Sequence, residues 1–155
     1  MAVPRVLGGG EAPLVVQYEV LEMLAAVDPA AAWYAFNARP PALGMARLDP
    51  TAGQKVMASP DAYFGFSIVV GSNVARRTAD GYSLSGRWPV VSGSVAASWL
   101  LLSAAASDVS GDQPPSVGSP DVRHLFVPAD AVSVEDTWHA YALRATASNA
   151  VSVRD

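Results

Sequence analysis

The hydrophobic pattern of this chain changes period once, near Tyr63, and that switch constrains the fold more than any other feature. Before it, Leu14, Val15, Tyr18, Leu21, Met23 and Leu24 recur at roughly helical spacing behind Pro13, a residue suited to a helix N-terminus. That run ends near Val27. Asp28-Pro29 then pairs a capping carboxylate with proline at the first helical position, and Ala30 to Phe36 carries a second helix. Arg39-Pro40-Pro41 is expected to stop it, because proline lacks the N–H and disfavours helix in the residue before it. Asp49-Pro50 repeats the cap-and-proline start for a third, short helix to about Met57, closed by Ser59-Pro60-Asp61.

Beyond Tyr63 the pattern is that of strands. Candidates fall at 64–70, 73–79, 82–91, 99–105, 124–127, 132–135, 138–143 and 150–153, with Asp80-Gly81 a two-residue hairpin signal. Residues 107–121 carry Gly111, Pro114, Pro115, Gly118 and Pro120 and read as a loop. Helices first and strands after them define an α+β class: a helical lead, 1–61, followed by an antiparallel β-barrel or sandwich, 62–155.

Composition narrows the functions. A chain of 155 residues suffices for one domain with a real core. Its net charge is −4 and its arginines are scattered, so nucleic acid is not an expected partner. The absence of cysteine excludes disulfides, thiolate metal sites and a cysteine nucleophile. The N-terminal stretch has no apolar core of a signal peptide, and the most apolar segment, 95–106, is far short of the roughly 20 residues that span a bilayer. A cytoplasmic protein with no membrane partner is the expectation.

Little of the sequence carries obvious chemistry. His124 and His139 have no partner at metal-ligand spacing, so each reads as a surface or packing histidine and no metal is expected. Glu135 and Asp136 are adjacent in a strand and point to opposite faces. Gly8-Gly9-Gly10 lacks the Lys-Ser/Thr of a phosphate loop and reads as a flexible turn. What stands out is GYSLSGRWPVVSG, residues 81–93. A good strand is interrupted by Trp88-Pro89 and again by Ser92-Gly93, residues that expose backbone or hydroxyl.

This segment, followed by Ala97-Ser98-Trp99, resembles the acyl-CoA dehydrogenase superfamily, in particular its flavin-dependent monooxygenase branch of two-component hydroxylases. Val127-Pro128-Ala129, residues 132–153 and the stretch from Ala26 to Trp33 resemble further parts of the same pattern, so the likeness covers most of the chain. It implies that residues 62–155 are the middle β-domain of that fold, packed against one face of FMN or FAD. By the same resemblance, Trp88 would wall the isoalloxazine, and Ser92 would supply a hydrogen bond near flavin N5 by its hydroxyl or backbone N–H. Gly93 would let the backbone approach, and Gly71 and Ser72 would form a second flavin-contacting turn. Thr146 and Ser148 would flank the substrate cavity.

The implied activity is hydroxylation of an aromatic or polycyclic substrate with O2 and reduced flavin supplied by a separate reductase; no catalytic residue is assigned. The chain also departs from the pattern. It is less than half the usual length, which implies a truncated member without the C-terminal helical bundle that completes the flavin site. Exposed apolar surface is then expected to be covered by a second copy or by a separately encoded chain. The family's glycine-rich turn is here Ala142-Leu143-Arg144-Ala145-Thr146-Ala147, and its three alanines are expected to hinder positive φ. The proline usual before Gly71 is Val70. Two alternatives stand beside the hydroxylase: a non-catalytic remnant or interaction protein that keeps the β-domain, and an acyl-CoA dehydrogenase proper. The second is disfavoured by Trp88-Pro89 where that branch carries a different run.

Overall fold

The computed structural model describes residues 1–58, 62–107 and 121–154. The expected helix stop at 59–61 and the interior of the expected 107–121 loop lie outside them. Four helices lead: α1 Leu14–Val27, α2 Pro29–Asn37, α3 Arg39–Met45 and α4 Pro50–Val56. The Asp-Pro pairs act as the sequence suggests. Asp28 Oδ1 accepts from the N–H groups of Ala30 and Ala31 at 2.8 and 3.2 Å, and Asp49 Oδ1 accepts from Thr51 N–H at 2.9 Å. Arg39-Pro40-Pro41 does end α2, but it also starts a helix that the sequence reading did not contain. Its prolines occupy the first turn of α3, where a missing N–H costs nothing.

Seven strands follow: β1 Phe64–Ser67, β2 Val74–Thr78, β3 Gly81–Trp88, β4 Trp99–Ser107, β5 Val122–Pro128, β6 Ser133–Glu135 and β7 Ala150–Val153. They form one curled sheet in the order β1-β4-β2-β3-β7-β6, with β5 on the other edge of β4. The class is α+β, as expected. Most ladders are antiparallel, including the β2–β3 hairpin, whose two loop residues are Ala79 and Asp80, one position before the expected Asp80-Gly81, with Gly81 paired to Thr78. Two are parallel, because β1 and β2 lie end to end along the same edge of β4, Phe64 opposite Trp99 and Val74 opposite Ala105. Residues 68–73 interrupt this line, so the expected strand over 64–70 stops at Ser67.

The expected strand over 138–143 does not form. Trp138 Nε1 donates to Leu143 O at 3.0 Å, and Asn149 Oδ1 accepts from the N–H groups of Thr137 and Trp138, which curls the segment away from any ladder.

β4 is buried on both faces. Leu100, Leu102 and Ala104 join Trp88, Val91, Val127 and Val151 inside the curl. On the outer side, Phe64, Trp99 and Phe126 pack with Ala42 and Met45 of α3 and Val56 of α4. The helical lead is thus fastened to the sheet by a second, smaller core.

Candidate functional site

The strand-exit segment after β3 meets two other parts of the chain. Val91 N–H donates to Asn149 O at 3.0 Å and Gly93 N–H to Thr146 O at 2.8 Å, which clamps 91–93 onto the segment before β7. Ser92 also forms an isolated antiparallel bridge with Phe66 of β1. From the other side, α2 presents Trp33 and Tyr34.

A chain of hydrogen bonds runs through this junction. Trp33 Nε1 lies 3.1 Å from Ser92 Oγ, Ser92 Oγ 2.9 Å from Ser148 Oγ, Ser148 Oγ 2.7 Å from Thr146 Oγ1, and Thr146 Oγ1 2.8 Å from Leu143 O. Both ends have fixed roles, since an indole N–H only donates and a carbonyl only accepts. Four bonds are therefore shared among four protons, and one direction satisfies them all. Thr146 gives its proton to Leu143 O, so it must accept from Ser148, and Ser148 must accept from Ser92. Ser92 accepts from Trp33 and keeps one lone pair. Its hydroxyl proton is committed within the protein, and it meets any further ligand as an acceptor.

The residues expected beside a flavin or a substrate have the following surroundings. Ser92 does not offer its hydroxyl as a donor. Thr146 and Ser148 are 1% and 2% exposed and present no surface to a substrate; they orient Ser92 instead. Trp88 is fully buried, with Nε1 on Ser103 O at 2.8 Å, and has no face left to wall a cofactor. An expectation based on Trp88-Pro89 missed that the tryptophan points inward while Pro89 and Val90 are exposed.

Gly93 adopts φ +77°, and a Cβ there would collide with the Tyr34 ring, so the close approach its sequence suggests is made to Tyr34. Gly71, at φ +49°, makes the turn closed by Asn73 N–H on Val70 O, and both Gly71 and Ser72 are exposed. They share no hydrogen bond with the Ser92 cluster. The turn expected to suffer from alanine tolerates it: Ala147 takes a left-handed conformation, φ +43°, as does Leu143, while Ala142 and Ala145 are not asked for one.

Two features were missed in the sequence. Trp33 sits in a helical stretch that carries part of the resemblance but was assigned no contact. Tyr34 carries a buried phenol oxygen without a hydrogen-bond partner among the described residues. Burial pushes its pKa up, the nearby Phe64 backbone offsets part of the rise, and Tyr63, its ring 6.1 Å away, adds to it. A buried hydroxyl of this kind calls for an explanation, and a water or ligand atom beside it is one. Exposed Ile68, Val69, Val90 and Val95 supply apolar surface on the connections after β1 and β3. No group of metal-ligating side chains occurs among the described residues.

Helical lead, curled sheet and hydroxyl-lined strand exit together define one α+β unit. Along its whole length the chain is similar to a protein named as a hydroxylase and to a structure solved with FADH2. It is 30% identical over 157 residues to a pigment production hydroxylase of Rhodococcus erythropolis, covering 100% of this chain and 39% of that protein. It is 35% identical over 82 residues to the oxygenase component of an FADH2-dependent resorcinol hydroxylase of a Rhizobium species, covering 53% of this chain and 19% of the relative. The structure of XiaF from a Streptomyces species, in complex with FADH2 and glycerol, superposes with a TM-score of 0.84 at 31% identity over 98% of this chain and 37% of that one. The 3-HSA hydroxylase of a Rhodococcus species shares the fold, with a TM-score of 0.87 at 24% identity over 100% of this chain and 39% of that one. The chain spans about two-fifths of the length of the full-coverage relatives it matches. No family model matches it.

Proposed function

We propose that this chain contributes the β-domain wall of a reduced-flavin site in an aromatic hydroxylase, with 1–61 as its helical region and 62–155 as its β-domain. The carrying observation is the one-way hydroxyl chain that leaves Ser92 Oγ an acceptor. It stands beside the likeness to proteins named as FADH2-dependent or solved with FADH2. FMN or FAD, reduced by a separate reductase, would supply the chemistry of activating O2. Reduced flavin carries hydrogen on N5 and oxidised flavin does not, so an accepting Ser92 suits the reduced form. Ser92 and the Tyr34 phenol would hold the polar edge of the ring, Val90 and Ile68 would meet its apolar part, and the 70–73 turn with Gly71 and Ser72 would flank it. Trp88 does not fit the role of wall. The substrate would be a small aromatic or polycyclic compound.

A second copy or a separate chain would pack against the exposed apolar surface of the helical lead. Tyr18, Trp33 and Phe36 of α1 and α2 line an apolar groove that such a chain would cover. The same groove supports a second reading, an interaction protein without catalysis.

Fluorescence titration with FMN and FAD, oxidised in air and reduced under anaerobic conditions, decides between them. Tighter binding of a reduced flavin supports the hydroxylase reading. No binding of either flavin in either state below about millimolar overturns it.

A further inference from the structure

α1 and α2 form a helical hairpin with an apolar seam on its open face. α2 folds back along α1, so that Tyr18 of α1 and Phe36 near the end of α2 both reach the Arg39 guanidinium. Tyr18, Leu21 and Ala25 line the seam from α1, and Pro29, Ala32 and Phe36 line it from α2, each set at the spacing i, i+3, i+7 of one helix face. Trp33 stands beside them, and Tyr18, Trp33 and Phe36 are all exposed. One hairpin cannot bury such a seam. Two hairpins facing each other can, as a four-helix bundle.

Two charges mark the seam. The Arg39 guanidinium lies 4.8 Å from the centre of the Tyr18 ring and 5.7 Å from that of Phe36, and its Nε donates to Gln17 Oε1 at 2.9 Å. Gln17 is buried and is itself fixed by Nε2 on Ala12 O at 2.7 Å. Arg39 is therefore held in place at one end of the seam, yet it has no ion pair among the described residues. Glu22 lines the seam one turn along α1 from Tyr18, a rise of about 6 Å. It is exposed, and it too has no ion pair among the described residues. A surface with a cation and an anion at different levels along one apolar seam is its own complement. Turned end for end, a copy brings its glutamate level with Arg39. Set parallel, it would stack glutamate on glutamate and arginine on arginine.

We propose that two copies of this chain pair through the α1–α2 seam, antiparallel across a two-fold axis, with Arg39 of each meeting the partner's Glu22. This pairing names the chain that covers the groove and rests on that part of the reading above; it does not require flavin. It does reach Ser92. Trp33, which starts the hydroxyl chain, and Leu143, whose carbonyl ends it, both line the seam. A second copy seated there would pack on both ends of the chain that leaves Ser92 an acceptor.

Sedimentation velocity between about 1 and 100 µM should show a dimer that dissociates on dilution. Glu22→Arg, at an exposed position, and Arg39→Glu each put two like-charge contacts into the interface and should raise the dissociation constant by about tenfold or more. Mixed in equal amounts, the two variants should form a heterodimer, because every charge contact between them is again of opposite sign. A loss of folding could not produce that rescue, and circular dichroism checks both folds. If Arg39→Glu unfolds, Glu22→Arg against Glu22→Gln carries the test, with the arginine variant the weaker dimer. A monomer throughout the range, a dimer unchanged by the charge variants, or folded variants that do not pair with each other would overturn the proposal. Assembly that appears only with a separate chain would overturn it too. Flavin titration of the same samples keeps the two readings apart. A dimer that binds no flavin sinks the hydroxylase and leaves this pairing standing, and flavin binding by a monomer does the reverse.

Discussion

The Trp33 indole N–H on α2 donates to Ser92 Oγ at 3.1 Å across 59 residues of sequence, and it thereby sets the direction of every hydroxyl proton behind it. Ser148 is the middle of that chain. Ser148→Ala would strand the hydroxyls of Ser92 and Thr146 in a buried site and cost about 1–3 kcal/mol. For a domain of this size that is a fall of several degrees in Tm by calorimetry. It would also release the Ser92 proton. The ratio of reduced to oxidised flavin affinity should then drop, measured on the folded variant.

Tyr34 gives a change of opposite sign. Its phenol oxygen is buried without a partner, so Tyr34→Phe removes a desolvated group and should leave the free protein equally stable or stabilise it by about 1 kcal/mol. The raised pKa means that the folded state holds this proton longer than the unfolded chain. The stability linked to it is complete below the unfolded value and is lost as pH rises through the folded one. Alkaline unfolding curves of wild type and Tyr34→Phe should therefore diverge above about pH 10, where the wild type loses stability faster. A variant that melts several degrees lower at neutral pH would show that the oxygen has a partner after all.

Local signals in the sequence were read well, because a cap or a hairpin is decided by residues a few positions apart. Asp28 and Asp49 each cap the helix that follows, and the β2–β3 hairpin turns within one position of Asp80-Gly81. Features decided by distant partners were not legible. Trp88 and Trp33 are both tryptophans next to a turn or helix signal, yet one is sealed in the core by Ser103 O and the other is half-exposed and reaches Ser92. Nothing along the chain distinguishes them. Residues 138–143 have strand composition, but the Asn149 side chain on the backbone at Thr137 and Trp138 and the Trp138 indole on Leu143 O deny them a ladder. The resemblance singled out the segment 88–93 by position and not by which way each side chain points.

Ala147 sits at φ +43°, a conformation that costs a non-glycine residue about 1–2 kcal/mol. Ala147→Gly should relieve that strain, offset in part by the greater freedom of the unfolded chain, for a net gain of about 0.5–1 kcal/mol. Thermal melts check it. A loss of stability would mean that the turn holds Ala147 without strain.

Arg87 and Glu135 join β3 to β6 across β7, with guanidinium-to-carboxylate distances of 2.8–3.1 Å on an exposed surface. The hydrogen bond from Arg87 lowers the Glu135 pKa. A carboxylate with a depressed folded pKa contributes stability above its unfolded value and loses it as pH falls through the folded one. Wild type should therefore lose Tm below about pH 4.5 more steeply than Glu135→Gln. The gap at neutral pH should be small and should shrink in added salt, since water and ions screen an exposed pair. Equal acid slopes would remove the pair from the stability of the sheet edge.

The last prediction separates a core tryptophan from a cofactor wall. Trp88 is fully buried and donates to Ser103 O, and Ser103 in turn holds His124. Trp88→Phe removes ring volume from the inside of the sheet and orphans a buried carbonyl, a loss of about 2–4 kcal/mol. Urea unfolding should show a lower midpoint with an unchanged slope. Flavin affinity of the folded fraction should stay within about twofold, because no part of the ring reaches the surface beside Ser92. Val90→Asp, an exposed change beside the same turn, should do the reverse, leaving the urea midpoint nearly in place while weakening flavin binding by tenfold or more, on the order of 1.4 kcal/mol. If Trp88→Phe instead abolished flavin binding at unchanged stability, the ring would have to leave the core when the cofactor arrives.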